Sequence, residues 1–182
     1  MNTTVAFLAQ TLAIFMGFFT RVVFTRTLSE GYVGINGLFT DILNILSLSE
    51  LGVGTAITYA LYAPIARRDI KKQQILMRMF RNFYRITAGF VLLAGLCLIP
   101  FLDILMKDRP DVNHLIIIYL LYLLNSVVSY LLIYKKTLVD AHQMNYITVM
   151  YHNGFLVLQD ILQIMVLFLT RNFILFLVIA VI

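Results

Sequence analysis

Apolar runs about 20 residues long recur along most of this 182-residue chain and are separated by short polar segments. A helix rises about 1.5 Å per residue and the hydrocarbon core of a bilayer is about 30 Å thick, so each run is long enough to cross it. The pattern predicts an all-α polytopic transmembrane helical bundle with five complete spans and the start of a sixth. The predicted spans cover residues 5–24, 35–62, 82–102, 115–134 and 146–169, and the sixth begins near residue 173.

The second predicted span carries polar residues at helical spacing inside an otherwise apolar segment. At 3.6 residues per turn these residues fall on one stripe, with Glu50 beside it. A polar stripe cannot face hydrocarbon, because lipid offers no hydrogen-bonding partner, so it must face other helices or a water-filled cavity. The stripe consists of Asn36, Thr40, Asn44, Ser47, Gly54 and Thr58.

Polar stripes recur in three further spans, whereas the third span is almost wholly apolar after Arg85. Four polar faces in five spans favour a bundle that encloses a polar cavity, as transporters do. The stripes are Thr3, Gln10, Gly17 and Arg21 in the first span, Tyr122, Asn125 and Ser129 in the fourth, and Asn145, Thr148, His152, Gln159 and Gln163, flanked by Asp160, in the fifth.

The composition agrees with a membrane protein, and the distribution of charge predicts its orientation. The chain is 61% hydrophobic and only 13% charged. Nine basic residues lie in the loops on one side of the predicted spans and four on the other, which places the N-terminus in the cytoplasm. The same rule accounts for the net charge of +5, so this charge does not indicate a nucleic-acid partner. The nine are Arg67, Arg68, Lys71, Lys72, Arg78, Arg81, Arg85, Lys135 and Lys136, and the four are Arg26, Lys107, Arg109 and Arg171.

Two kinds of candidate binding group lie on the stripes. Guanidinium groups suit phosphate, whereas neutral amides and hydroxyls suit sugars. Arg21 and Arg26 are therefore candidates for holding a phosphate-bearing headgroup. Each also fits an arginine that extends from a span end to the lipid headgroups, and Arg26 fits this alternative better than Arg21 does. The candidates for a sugar path are Asn44, Ser47, Asn125, Gln159 and Gln163.

Three acidic residues on or beside the stripes are candidates for a charge that couples transport to an ion gradient. They are Asp41, Glu50 and Asp160. Asp41 lies off its stripe and could instead form a structural ion pair with Arg21 or Arg26. The same acids support an alternative class, a membrane enzyme acting on lipid-linked sugars, but they are scattered rather than paired.

Motifs for other chemistry are absent from the sequence. It contains no P-loop, no histidine and cysteine spacing typical of a metal site, and no nucleophile motif. The expectation is therefore a protein that is not an enzyme and needs neither a cofactor nor a metal.

A basic stripe precedes the third predicted span. Its spacing predicts a short amphipathic helix on the inner leaflet, held there by anionic membrane lipid. The positive-inside rule alone also explains these charges, and it is the simpler interpretation. The stripe comprises Lys71, Gln74, Arg78, Arg81 and Arg85.

Three segments of the chain resemble a known transporter family. They are residues 28–57, LSEGYVGINGLFTDILNILSLSELGVGTAI; residues 62–66, YAPIA; and residues 138–146, LVDAHQMNY. They resemble the N-terminal part of bacterial polysaccharide transporters, the O-antigen and capsular repeat-unit flippases of the multidrug/oligosaccharidyl-lipid/polysaccharide exporter superfamily. The resemblance covers essentially the whole chain, and residues 28–69 are its most specific part.

The resemblance implies a function as well as a fold. Such proteins contain two helical bundles around a cationic cavity, and residues 1–182 would be the first bundle of a longer protein. The implied substrate is an undecaprenyl-pyrophosphate-linked oligosaccharide, carried from the cytoplasmic to the outer leaflet of the bacterial cytoplasmic membrane for surface polysaccharide synthesis. Arg21 and Arg26 stand where related flippases bind pyrophosphate, and polysaccharide polymerases and glycosyltransferases are implied partners. A related multidrug or cation exporter remains an alternative, as does a scaffold that recruits polysaccharide enzymes.

Overall fold

The computed structural model describes residues 2–47, 53–106, 112, 114–142 and 144–181, and in these residues all regular structure is helical. The chain forms a bundle of long helices joined by short connections. In chain order the helices are α1 (Asn2–Thr27), α2 (Glu30–Ser47), α3 (Val53–Ala66), α4 (Ile70–Leu98), a 3-10 turn (Ile99–Phe101), α5 (Leu102–Leu105), α6 (Leu115–Ala141), α7 (Asn145–Thr170) and α8 (Phe173–Val181).

Four of the described helices are long and apolar enough to cross a membrane. They contain the segments Phe7–Thr27, Ile70–Phe101, Leu115–Ala141 and Tyr146–Thr170, which match the first, third, fourth and fifth predicted spans. The second predicted span, residues 35–62, is not among them. Its described residues belong to two helices, α2 and α3, and residues 48–52 lie outside the described part. The helix α8 begins at residue 173, where the sixth span was expected.

The start of α4 differs from the sequence prediction. Asp69 caps this helix by accepting a hydrogen bond from the Lys72 backbone N–H at 3.0 Å, and Arg68 before it is in the left-handed conformation. From there α4 runs unbroken for 29 residues. The prediction of a separate amphipathic helix is therefore wrong, because the basic stripe forms the first part of α4. At about 1.5 Å per residue the helix is about 43 Å long, so its basic turns extend past the hydrocarbon.

Of the two helix pairs that pack most extensively, one is parallel and the other is antiparallel. Gln10 of α1 is hydrogen-bonded to Asn153 of α7, and Gly17 lies beside Asp160, which is the same offset of 143 residues. The helices α1 and α7 are therefore parallel and in register. In contrast, the Tyr119 hydroxyl near the start of α6 donates to the Gly95 carbonyl near the end of α4 at 2.8 Å, so these two helices are antiparallel.

The buried core lies where α2, α3, α4, α6 and α8 meet. Phe39 of α2 contacts Tyr119 edge to face, with ring centroids 5.1 Å apart. Near the end of α1, Phe24 packs against the rings of Phe173 and Phe176 of α8. These aromatic contacts fix the short helix α8 against the longer helices and close one end of the bundle.

Candidate functional site

A line of polar contacts follows the seam between α1 and α7. The Asn153 amide is 2% exposed and donates to the Gln10 side-chain oxygen at 2.9 Å. Two turns further along, an ideal Cβ placed on Gly17 would lie 4.0 Å from the Asp160 Oδ2, and Asp160 also lies beside Thr20. The carboxyl group of Asp160 therefore lies within van der Waals distance of the Gly17 position, on the seam between the two helices.

Arg21, one turn beyond Gly17, brings a positive charge close to α6. Its side chain is exposed, and its guanidinium carbon lies 5.5 Å from the centroid of the Phe24 ring. The charge also acts on the Tyr122 hydroxyl, which in turn donates a hydrogen bond to the Asn36 side-chain oxygen. We call Arg21, Tyr122 and Asn36 the Arg21 cluster. It joins α1, α6 and α2 through one cation, one phenol and one amide.

The polar stripe of α2 continues from this cluster along an exposed face. Thr40, Asp41 and Asn44 are exposed, whereas the opposite face, with Ile35 and Phe39, is buried in the core. The Thr40 hydroxyl donates to the Asn36 backbone carbonyl at 2.7 Å, so its hydrogen stays within its own helix. The polar side of α2 therefore faces away from the core, where a ligand or a further part of the protein could contact it.

The predicted sugar-path residues occupy different environments. Asn125 and Gln159 are half-buried, and Asn44 is exposed. Gln163 is 4% exposed, and its amide donates to the Phe176 backbone carbonyl of α8 at 3.2 Å, an interhelical contact. Ser47 ends α2, and its side chain lies outside the described part, as does Glu50 with its whole segment.

The two candidate arginines of α1 do not share a site. Five residues separate them, which is about 140° around the helix axis. Arg26 instead lines a cleft of about 440 Å³ between the ends of α1 and α7. Its neighbours there are Val22, Val23, Thr27, Phe168 and Arg171.

Sequence reasoning missed two residues at these sites. Asn153 lies seven residues before Asp160, and that helical spacing could have placed it on the same seam. Arg171 was counted only as a loop charge, and its position beside Arg26 depends on the packing of α1 on α7, which the sequence pattern does not contain. In the described ranges there is no group of three or more histidine, cysteine or acidic side chains that could hold a metal ion.

Comparison with known protein families, with curated proteins and with solved structures found no match to this chain.

Proposed function

We propose that this chain is the N-terminal helical bundle of a transporter that moves a lipid-linked oligosaccharide across a bacterial cytoplasmic membrane. The Arg21 cluster is the observation that carries the proposal. A cation at the centre of a membrane span costs roughly 2.5–3.5 kcal/mol on insertion scales, so arginines there usually face polar partners or a cavity. Arg21 has an exposed side chain whose charge acts on the Tyr122 phenol, and that phenol donates a hydrogen bond to the Asn36 amide oxygen of a third helix.

The chemistry of the cluster fits an anionic lipid headgroup that carries sugars. A guanidinium can hold two phosphate oxygens through parallel N–H donors. The amides of Asn44, Asn125 and Gln159 lie on the neighbouring helices with part or all of their surface exposed, and neutral amides suit sugar hydroxyls. The proposed cargo is an undecaprenyl-pyrophosphate-linked oligosaccharide, as the sequence resemblance implies.

Asp160 is the acid that we propose as the coupling charge. It is half-buried on α7 and lies beside Gly17 and Thr20, about one turn of α1 from Arg21. An ionised carboxyl group near the headgroup site repels the anionic cargo, so a change in the charge of Asp160 would alter how well the cargo binds. Asp41, which is exposed on α2, is the second candidate for this role.

The helix directions support our proposal of five membrane crossings. The helix α7 is parallel to α1. It follows α6 after a short connection, so these two helices run in opposite directions. The helix α6 is in turn antiparallel to α4. The helices α1 and α4 therefore cross in the same direction, and the chain must return between them, so we propose that α2 and α3 together make that crossing. With a cytoplasmic N-terminus, Asn172 lies outside. Labelling of an Asn172→Cys variant by a membrane-impermeant maleimide in intact cells checks this orientation.

The test of the function is transport by an Arg21→Gln variant. Reconstituted protein would be supplied with fluorescently labelled lipid-linked oligosaccharide, and its appearance in the opposite leaflet would be measured. We expect the rate to fall about 10-fold or more, because a hydrogen bond to a charged group contributes roughly 1.5–3 kcal/mol. Arg67→Gln is the matched control, since Arg67 is an exposed arginine in the connection between α3 and α4.

Three results would contradict the proposal. An unchanged rate of glycolipid transport by Arg21→Gln, at equal protein level, would exclude headgroup binding by Arg21. Export of a cationic dye, with no movement of the glycolipid, would assign the chain to a drug or cation exporter. A change in the mass of the extracted glycolipid would indicate an enzyme.

A further inference from the structure

The cleft between the ends of α1 and α7 is distinct from the Arg21 cluster and contains two arginines. Arg26 comes from the last turn of α1, and Arg171 directly follows the last residue of α7. The floor is apolar, with Val22 and Val23 on one helix and Phe168 on the other. A space of about 440 Å³ is within the range of small-ligand sites.

Among the described residues, those that line the cleft carry positive charge and no negative charge. None of its lining residues is acidic, and Thr27 is its only other polar side chain. Two guanidinium groups facing one cleft repel each other unless an anion lies between them. A phosphate group is well suited to this position, because its oxygens accept the parallel N–H donors of arginine.

The backbone at Arg171 supports a role for its side chain. Arg171 ends α7 in the left-handed conformation, with φ of 49°, and its N–H is bonded to the Leu167 carbonyl at 3.1 Å. Glycine or asparagine usually occupies this position, because a Cβ is disfavoured there. Arg171 adopts this conformation despite its Cβ and is one of the residues that line the cleft.

The location of the cleft indicates where the phosphate comes from. It lies at the ends of two apolar helices that are long enough to cross a membrane, which is the level of the lipid headgroups. Its valine and phenylalanine floor would contact acyl chain rather than water. We propose that the Arg26–Arg171 cleft binds the phosphate of an anionic membrane phospholipid. This inference does not rest on transport of a glycolipid.

The test measures retained lipid. The purified protein is placed in nanodiscs of phosphatidylcholine with added phosphatidylglycerol, and the lipids that remain bound are counted by native mass spectrometry. We expect preferential retention of phosphatidylglycerol by the wild type. Arg26→Gln and Arg171→Gln should each lower this preference about fivefold, and the double variant should lower it about 25-fold, because one basic residue near an anionic lipid surface contributes about that factor.

Two further variants separate binding from folding and from general charge. Arg171→Gly keeps the left-handed conformation without a Cβ, so it should retain or raise thermal stability and still lose the preference for phosphatidylglycerol. Arg68→Gln removes an exposed arginine with the same backbone conformation from a turn elsewhere. It should change the preference less than twofold.

Several outcomes would overturn the site. Equal retention of phosphatidylglycerol by the wild type and the double variant would rule out the site. An equal loss for Arg68→Gln would mean that net charge alone attracts the lipid. Displacement of phosphatidylglycerol by inorganic phosphate in solution would identify a site for soluble anions. Loss of transport in Arg21→Gln with normal retention of lipid would support both proposals, since the two sites are separate.

Discussion

Polar side chains of this bundle fall into two groups according to what they bond. Asn153 and Gln163 are almost fully buried, and each makes a hydrogen bond to another helix. Arg21 instead has an exposed side chain. Because an unpaired polar group in hydrocarbon is costly, the interhelical bonds of the first group stabilise helix packing. The second group, to which Arg21 belongs, lies where a ligand could contact it.

The Tyr122–Asn36 hydrogen bond belongs to both groups, because it joins two helices and also borders Arg21. We predict that Tyr122→Phe lowers the free energy of unfolding in detergent by about 0.6–2 kcal/mol, the range for interhelical hydrogen bonds in membranes. Unfolding by sodium dodecyl sulfate measures this quantity. In a double-mutant cycle with Asn36→Ala the two effects should couple by about 0.6 kcal/mol.

The control for this cycle is Tyr151→Phe, since Tyr151 is 62% exposed on α7. It should change stability by less than about 0.5 kcal/mol, as surface substitutions usually do. Additive effects of Tyr122→Phe and Asn36→Ala would show that the bond does not link α6 to α2.

The sequence identified which face of a helix is polar but could not identify the partner of each residue. Gln159 and Gln163 lie four residues apart on one predicted stripe and look equivalent in the sequence. In the structure Gln159 is half-buried, whereas Gln163 is buried and bonds to α8. Periodicity gives the direction of a side chain around its own helix. The partner depends on which helix packs there.

Helix boundaries were predictable only where hydropathy changes at the boundary itself. The first residue of α6, Leu115, and the first residue of α8, Phe173, match the prediction because apolar runs begin there. The start of α4 was placed 12 residues too late, at 82 instead of 70, because polar residues continue the helix outside the lipid. Asp69 was the available signal, as a capping residue before a run with good helix propensity.

The contact between α4 and α6 is close because α4 has a glycine at the crossing. An ideal Cβ on Gly95 would lie 2.9 Å from the Leu123 Cδ2, and Leu123 is only 1% exposed. We predict that Gly95→Ala destabilises the protein by about 1–3 kcal/mol, because the added methyl group overpacks a filled core. Denaturant unfolding of the detergent-solubilised protein provides the measurement.

Gly89 offers a matched control in the same helix. A Cβ there would meet no atom within 4 Å, so Gly89→Ala should be neutral or slightly stabilising. Equal losses for the two alanine variants would mean that packing against Leu123 does not determine the effect, since helix propensity alone favours alanine over glycine.

At the scale of the whole molecule, the parallel register of α1 and α7 is a feature that the sequence pattern could not supply. Hydropathy predicts where apolar spans lie along the chain but not which of them touch. Antiparallel neighbours, such as α7 and α8, follow from a short connection. The pairing of α1 with α7 joins residues 143 positions apart, with most of the bundle between them in the chain.

Cross-linking tests this register directly. In a Cys97→Ser background, cysteines at Gln10 and Asn153, or at Gly17 and Asp160, should be joined by a short bifunctional thiol reagent. Cysteines at Gly17 and Asn153 should not be joined, because they are displaced by seven residues, or about 10.5 Å along the axis. Mobility on a denaturing gel shows the result. Efficient joining of the displaced pair would rule out the parallel register.

The separation of Gln10 and Asn153 along the chain also determines the delay between their translation during synthesis. A ribosome that adds roughly 5–20 residues per second needs on the order of 7–30 s to make the intervening 143 residues. During that interval α1 has already entered the membrane, and the amide of Gln10 has no partner from α7. The helix that is made first is therefore among the last to be packed. Until α7 emerges, the Gln10 amide needs another hydrogen-bond partner, because an unsatisfied polar group in hydrocarbon is costly.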